Sequence, residues 1–177
     1  MKKLKLEELG RITVDEFKET KKLPVCIVLD NVRSLHNVGS AFRTADAFRI
    51  EKLILAGITG TPPHREIQKT ALGATESVAW LYETRPAEAI IRLKDEGYLI
   101  VVIEQTTESI PLQSYFAKPE QKYCLVFGNE INGVSEEIIA LADLAIEVPQ
   151  TGTKHSLNVS VCLGIVVWEL FRTFHST

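Results

Sequence analysis

Short apolar runs alternate along the chain with segments whose apolar residues repeat at a helical period. From Pro24 onward, Val25–Asp30 is a β-branched and apolar run of the kind that forms a strand buried on both faces. Val38–Phe48 follows with Val38, Ala41, Phe42, Ala45 and Phe48 on one helical stripe, and Asn37 just before it suits an N-cap. Glu51–Ile58 is strand-like. Thr61-Pro62-Pro63 breaks the pattern ahead of a short helix, Arg65–Leu72. Ser77–Glu83 is then predicted as a strand, and Pro86–Glu96 as a helix closed by Gly97. Tyr98–Glu104, Lys122–Gly128 and Leu144–Pro149 give three more strands, with a helix at Ser135–Leu141 between the last two. Strands alternating with helices predict an α/β fold: a mostly parallel sheet with helices on both faces, in one domain. Residues 1–23 form a charged N-terminal extension with one or two short helices, and residues 24–177 form the domain.

The final helix, Leu157–Phe174, is apolar nearly all round, so it needs cover on several sides. One sheet covers one side. A second copy of the chain covers the other most simply, which predicts a homodimer. Composition narrows the class further. At 177 residues, with 45% hydrophobic and 24% charged residues, the chain can bury a core without staples, which excludes disorder. No apolar run is long enough for a membrane span. The Lys-rich start lacks the apolar block of a signal peptide, which places the protein in the cytoplasm. Cys26, Cys124 and Cys162 lie far apart among Val, Ile and Leu, without metal-ligand spacing. The net charge of −3 means that a nucleic-acid partner must be met by a local basic patch.

In open α/β sheets, ligands bind beyond the carboxyl ends of the strands. Residues 31–39, 105–107, 128–133 and 150–158 leave strands and are polar or glycine-bearing. None contains a dinucleotide fingerprint. Residues 151–156 (TGTKHS) lack the glycine spacing of a phosphate loop, and Ser156 beside His155 lacks a nucleophile elbow.

Three of these segments carry a resemblance. Leu29–Phe48 (LDNVRSLHNVGSAFRTADAF), Leu125–Ser135 (LVFGNEINGVS) and Ile146–Ile165 (IEVPQTGTKHSLNVSVCLGI) resemble, in order and spacing, the three motifs of the SpoU/TrmH RNA ribose methyltransferases. That resemblance implies the SPOUT fold with a C-terminal trefoil knot, S-adenosylmethionine as cofactor, and methyl transfer to a ribose 2′-hydroxyl of tRNA or rRNA. Asn37 and Arg43 match the functional Asn and Arg of the first motif, Glu130 the acidic residue of the second, and Ser156 and Asn158 the Ser-Leu-Asn of the third. Gly128, Val148 and Leu157 fall where the family holds the cofactor mainly through backbone groups. Thr106 is a further cofactor candidate. Arg49 departs from the pattern, standing where the family often has Gly.

Each candidate also has a plain structural reading: Asn37 or Ser156 as a helix cap, Glu130 as a solvated loop residue, Arg43 as a surface arginine. Their joint placement after strand ends favours function. Arg33, His36, Arg43, His64, Arg65, Lys69 and Lys154 would supply the basic patch for RNA phosphates. An alternative is a non-catalytic RNA- or ribosome-binding module that keeps the SPOUT fold. The retained Asn37, Arg43, Ser156 and Asn158 argue for the enzyme.

Overall fold

The computed structural model describes residues 1–175. A 3₁₀ turn at Leu6–Leu9 precedes α1 (Val14–Glu19), β1 (Leu23–Asp30), α2 (Leu35–Ala47), β2 (Ile50–Ala56), α3 (Arg65–Ala71), α4 (Ala74–Ser77) and β3 (Trp80–Glu83). There follow α5 (Pro86–Asp95), β4 (Tyr98–Ile103), β5 (Ile110–Pro111), β6 (Lys122–Phe127), α6 (Glu136–Ile139), β7 (Leu144–Glu147) and α7 (Val159–Phe174). The seven strands form one sheet in the order β3-β2-β1-β6-β4-β7-β5, and every pairing in it is parallel.

Side-chain alternation divides the core between the two faces of the sheet. Val25, Ile27 and Leu29 of β1, with Tyr123, Leu125 and Phe127 of β6, join a cluster that includes α2, α3 and α7 residues. Cys26, Val28, Cys124 and Val126 point the other way, toward Ala89, Ile90 and Leu93 of α5 and Ile138 of α6. Helices therefore cover both faces, as the apolar runs predict. The neighbours β1 and β6 send their next helices, α2 and α6, to opposite faces. Such a reversal marks the carboxyl ends of the strands as the binding end of the sheet.

Several boundaries differ from the sequence expectation, three of them for a clear local reason. The predicted strand Ser77–Glu83 begins only at Trp80, because residues 74–77 form a helical turn. There the Ser77 hydroxyl donates to Ala74 O and to the Asp46 carboxylate. The N-cap of α2 is Ser34, not Asn37: the Ser34 hydroxyl accepts from the Asn37 N–H at 3.3 Å. Asn37 thus sits in the first turn, with its side chain available for a tertiary role. The last helix starts at Val159, two residues later than predicted. Asn158 caps it rather than Ser156, its Oδ1 accepting from the Ser160 and Val161 N–H groups at 2.9 and 3.3 Å.

Leu163, Val166, Val167 and Leu170 of α7 are buried on the sheet, as expected of the covered side. On the other side Val161, Ile165 and Trp168 form a strip, 52%, 39% and 53% exposed. The N-terminal extension packs down through Phe17, which is buried in the α2 face of the core. No helix among the described residues is long and apolar enough to cross a membrane. None of their His, Cys, Asp and Glu side chains cluster in threes to hold a metal ion.

Candidate active site

A cavity of about 500 Å³ lies at the carboxyl ends of β4, β6 and β7. Its walls are residues 103–105 after β4, 127–133 after β6, and 147, 148, 150 and 155–159 around the segment that leads into α7, with Cys162 behind. The 128–135 loop is shaped by its own main chain. The Asn129 and Gly133 backbones exchange hydrogen bonds of 2.8 and 3.0 Å, and Asn129 Oδ1 accepts from the Ile131 and Asn132 N–H groups. Outside anchors complete it. The buried Asp30 carboxylate accepts from Ser135 N–H at 2.8 Å, and Asn129 Nδ2 donates to Asn31 O at 2.7 Å.

Residues from all three motif segments meet at the mouth of this cavity. Asn158 Nδ2 donates to Asn37 Oδ1 at 3.1 Å, and Asn37 Nδ2 donates to Glu130 Oε1 at 3.1 Å. Glu130 also accepts from the Arg33 and Ser34 N–H groups, at 3.0 and 2.9 Å. Partial burial pushes the Glu130 carboxyl up. The backbone N–H bonds and the Asn37 amide outweigh it and hold the carboxyl below the usual carboxylate range. A depressed folded-state value means that Glu130 stabilises the fold above the ordinary carboxylate pKa and loses that contribution as pH falls through the folded value. Glu130→Gln, which turns an NH₂ group toward main-chain donors, should cost about 1 kcal/mol in a urea titration at pH 7. The difference from wild type should shrink as the medium is acidified.

Of the residues singled out in the sequence, Gly128, Glu130, Val148, Ser156, Leu157 and Asn158 line the cavity. Asn37 reaches it through its two hydrogen bonds. Thr106 does not line it: its backbone and hydroxyl bond within the 106–109 turn, and Glu104 and Gln105 face the cavity instead. Arg43 is exposed on α2 and makes no hydrogen bond or ion pair among the described residues. Six residues beyond Asn37, it lies about 9 Å further along the helix and about 240° round it. Asn37, Ser156 and Asn158 therefore do not hold its guanidinium.

The basic patch is less positive than its sequence suggests. His36 Nε2 and Lys69 Nζ both contact the Glu66 carboxylate, at 2.7 and 2.6 Å, and His64 Nδ1 accepts from the Glu66 N–H. Arg33, Arg65 and Lys154 are exposed. Glu104, Asn129 and Cys162 were not singled out in the sequence. Glu104 had one usable signal, an acidic residue ending an apolar strand at the binding end of the sheet.

Residues 24–168 match the model of the SpoU rRNA methylase family. The chain belongs to that family. Membership of the family implies the trefoil threading expected of the segment after β7. Among its relatives is the 23S rRNA (guanosine-2′-O-)-methyltransferase RlmB of Neisseria meningitidis, 29% identical over 158 residues, covering 89% of this chain and 62% of that protein. The TrmH/SpoU tRNA modifying enzyme of A. aeolicus has a similar structure, with a TM-score of 0.79 and 29% identity over 90% of this chain and 80% of that one. The SpoU methyltransferase AviRb of Streptomyces viridochromogenes, crystallised with AdoMet, superposes with a TM-score of 0.81 at 21% identity, covering 96% and 68% of the two chains. This SpoU chain spans 62% of the length of the curated relatives it matches.

Proposed function

We propose that this chain transfers a methyl group from S-adenosylmethionine to a ribose 2′-hydroxyl of tRNA or rRNA in the cytoplasm. The observation that carries the reading is the hydrogen-bond chain Asn158–Asn37–Glu130, which joins three separate segments of the chain at the mouth of one cavity. The cavity suits a ligand of the cofactor's size. The backbone at Gly128, Val148 and Leu157 would hold it there, where it supplies a methyl group on a positively charged sulfur.

Aligning a hydroxyl with that methyl group, and drawing off a weakly acidic proton, is the remaining task. Asn37, Ser156 and Asn158 would orient the ribose at the mouth, and Glu130 would keep Asn37 and the 33–34 backbone in register. Arg43 stays protonated at any working pH. It would therefore grip the adjacent phosphate and stabilise the developing alkoxide, with the proton leaving late to water. Arg33, Arg65 and Lys154, helped by His36 and Lys69, would meet further phosphates.

The exposed strip of α7 supports a homodimer. Trp168 lies against Phe48 and Phe171, with ring centroids 6.1 and 5.9 Å apart, so a second copy would cover an aromatic cluster already ordered within the protomer. Trp168→Glu should give a folded monomer in sedimentation. Val167→Lys should instead unfold the protein, since Val167 is buried in the core. A wild-type monomer at micromolar concentration would remove the dimer.

The function is tested by transfer of a labelled methyl group to total RNA, followed by mapping of ribose methylation, with titration calorimetry of S-adenosylmethionine alongside. Transfer to a 2′-hydroxyl is the expected result. Cofactor binding without transfer to any RNA would favour the non-catalytic module.

A further inference from the structure

The charge around the cavity is uneven. Glu104, Glu130 and Glu147 line it, and among the described residues no Lys or Arg does. The chain as a whole carries 20 Lys and Arg against 23 Asp and Glu, so the imbalance is local. The oxygens of Glu130 serve the 33–37 segment. Glu104 belongs to the cavity wall itself.

Main-chain donors fix the Glu104 carboxylate. Oε1 accepts from Gln105 N–H at 2.9 Å and Oε2 from Val134 N–H at 3.0 Å. Gly133, at φ +69°, passes so close that a Cβ there would lie 2.1 Å from Oε2. These amides satisfy hydrogen bonds and cancel no charge, and no Lys, Arg or His forms an ion pair with Glu104 among the described residues. The charge is felt at α7: the Cys162 thiol is pushed up to about 11, chiefly by burial and further by Glu104. A partly buried carboxylate without a counter-charge favours a cationic ligand beside it.

We propose that Glu104 makes the cavity selective for a cation, so that it holds S-adenosylmethionine in preference to S-adenosylhomocysteine and thereby promotes release of the spent cofactor. The proposal rests on the cofactor reading above. In methyl transfer the S–CH₃ bond breaks with its electron pair left on sulfur, and a ribose oxygen lone pair forms the new O–CH₃ bond. The hydroxyl proton passes to water. The sulfonium becomes a neutral thioether, and its attraction to Glu104 is lost at the moment the product must leave.

Calorimetry on the full chain with three probes tests this: S-adenosylmethionine, S-adenosylhomocysteine, and sinefungin, which carries an amine in place of the methylsulfonium. Wild type should bind the two cations roughly tenfold more tightly than the neutral thioether. Glu104→Gln removes the charge and keeps one of the two oxygen acceptors for the loop, turning an NH₂ group toward the other main-chain donor. It should weaken both cations to the level of S-adenosylhomocysteine, whose own affinity should stay within about twofold. A salt titration of the wild type gives the same answer without a variant, because added salt should weaken the cations and leave the thioether unchanged. Equal wild-type affinity for all three, or a preference that survives Glu104→Gln, overturns the proposal. Failure of all three to bind overturns the cofactor reading instead, and the proposal with it.

Discussion

Arg43→Ala should lower methyl transfer by two to three orders of magnitude and leave the affinity for S-adenosylmethionine nearly unchanged. The size follows from losing the phosphate grip that aligns the ribose with the methyl group, where a misplacement of about 1 Å can cost about a hundredfold or more. The split follows from position, because Arg43 is absent from the cavity wall and projects from the exposed face of α2. Arg43→Lys separates two roles. A lysine keeps the positive charge, loses the planar two-pronged donor and deprotonates far more readily. If Arg43 clamps a phosphate and stabilises the alkoxide, the lysine enzyme should be nearly as poor as the alanine enzyme, with a weak pH dependence. If Arg43 accepts the proton, the lysine enzyme should recover as pH rises. Near-normal turnover of Arg43→Lys at high pH would refute the clamp, and wild-type turnover of Arg43→Ala would refute any catalytic role.

Gly128→Val should abolish cofactor binding, at least a hundredfold in Kd by calorimetry, while the protein stays folded by circular dichroism. Gly128 directly follows β6, and its restriction is one of space. A Cβ there would lie 2.1 Å from Gly133 C, 2.1 Å from Val134 N and 2.3 Å from Gly133 O. The sequence argument expects a side chain at Gly128 to block the cofactor's approach to the backbone. The structure adds an earlier clash, within the loop itself. To admit a valine, the loop must open, breaking the Asn129–Gly133 bridge that forms the cavity wall. Gly152→Ala is the matched control. Its Cβ would meet nothing within 4 Å, so its Kd should stay at the wild-type value. Unchanged binding by Gly128→Val would remove the assignment of this loop to the cofactor.

Both expectations combine what is local in the sequence with what is not. The β-branched and apolar run at Val25–Asp30 already identifies a strand buried on both faces, and Lys122–Gly128 a further strand, because the pattern is a property of neighbouring residues. The same reading puts Asn37, Glu130 and Ser156 in segments that leave strands, and hence at the binding end of a parallel sheet. Locality also explains the misplaced boundaries. Ser34 and Asn37 are both able to cap a helix, and the choice between them turns on which backbone N–H each side chain reaches.

The order β1-β6-β4 was not legible, nor was the chain Asn158–Asn37–Glu130, whose partners stand 121 and 93 residues apart. The separation of Arg43 from that chain follows from helix geometry, but its position outside the cavity does not. Likewise the all-round apolar character of α7 was plain in the sequence, while the choice of which side faces the sheet and which leaves Trp168 exposed was not. Hydrophobic periodicity fixes what each segment can bury. Which segments bury one another, and which side chains then meet across their ends, depends on non-local packing that only the assembled sheet decides.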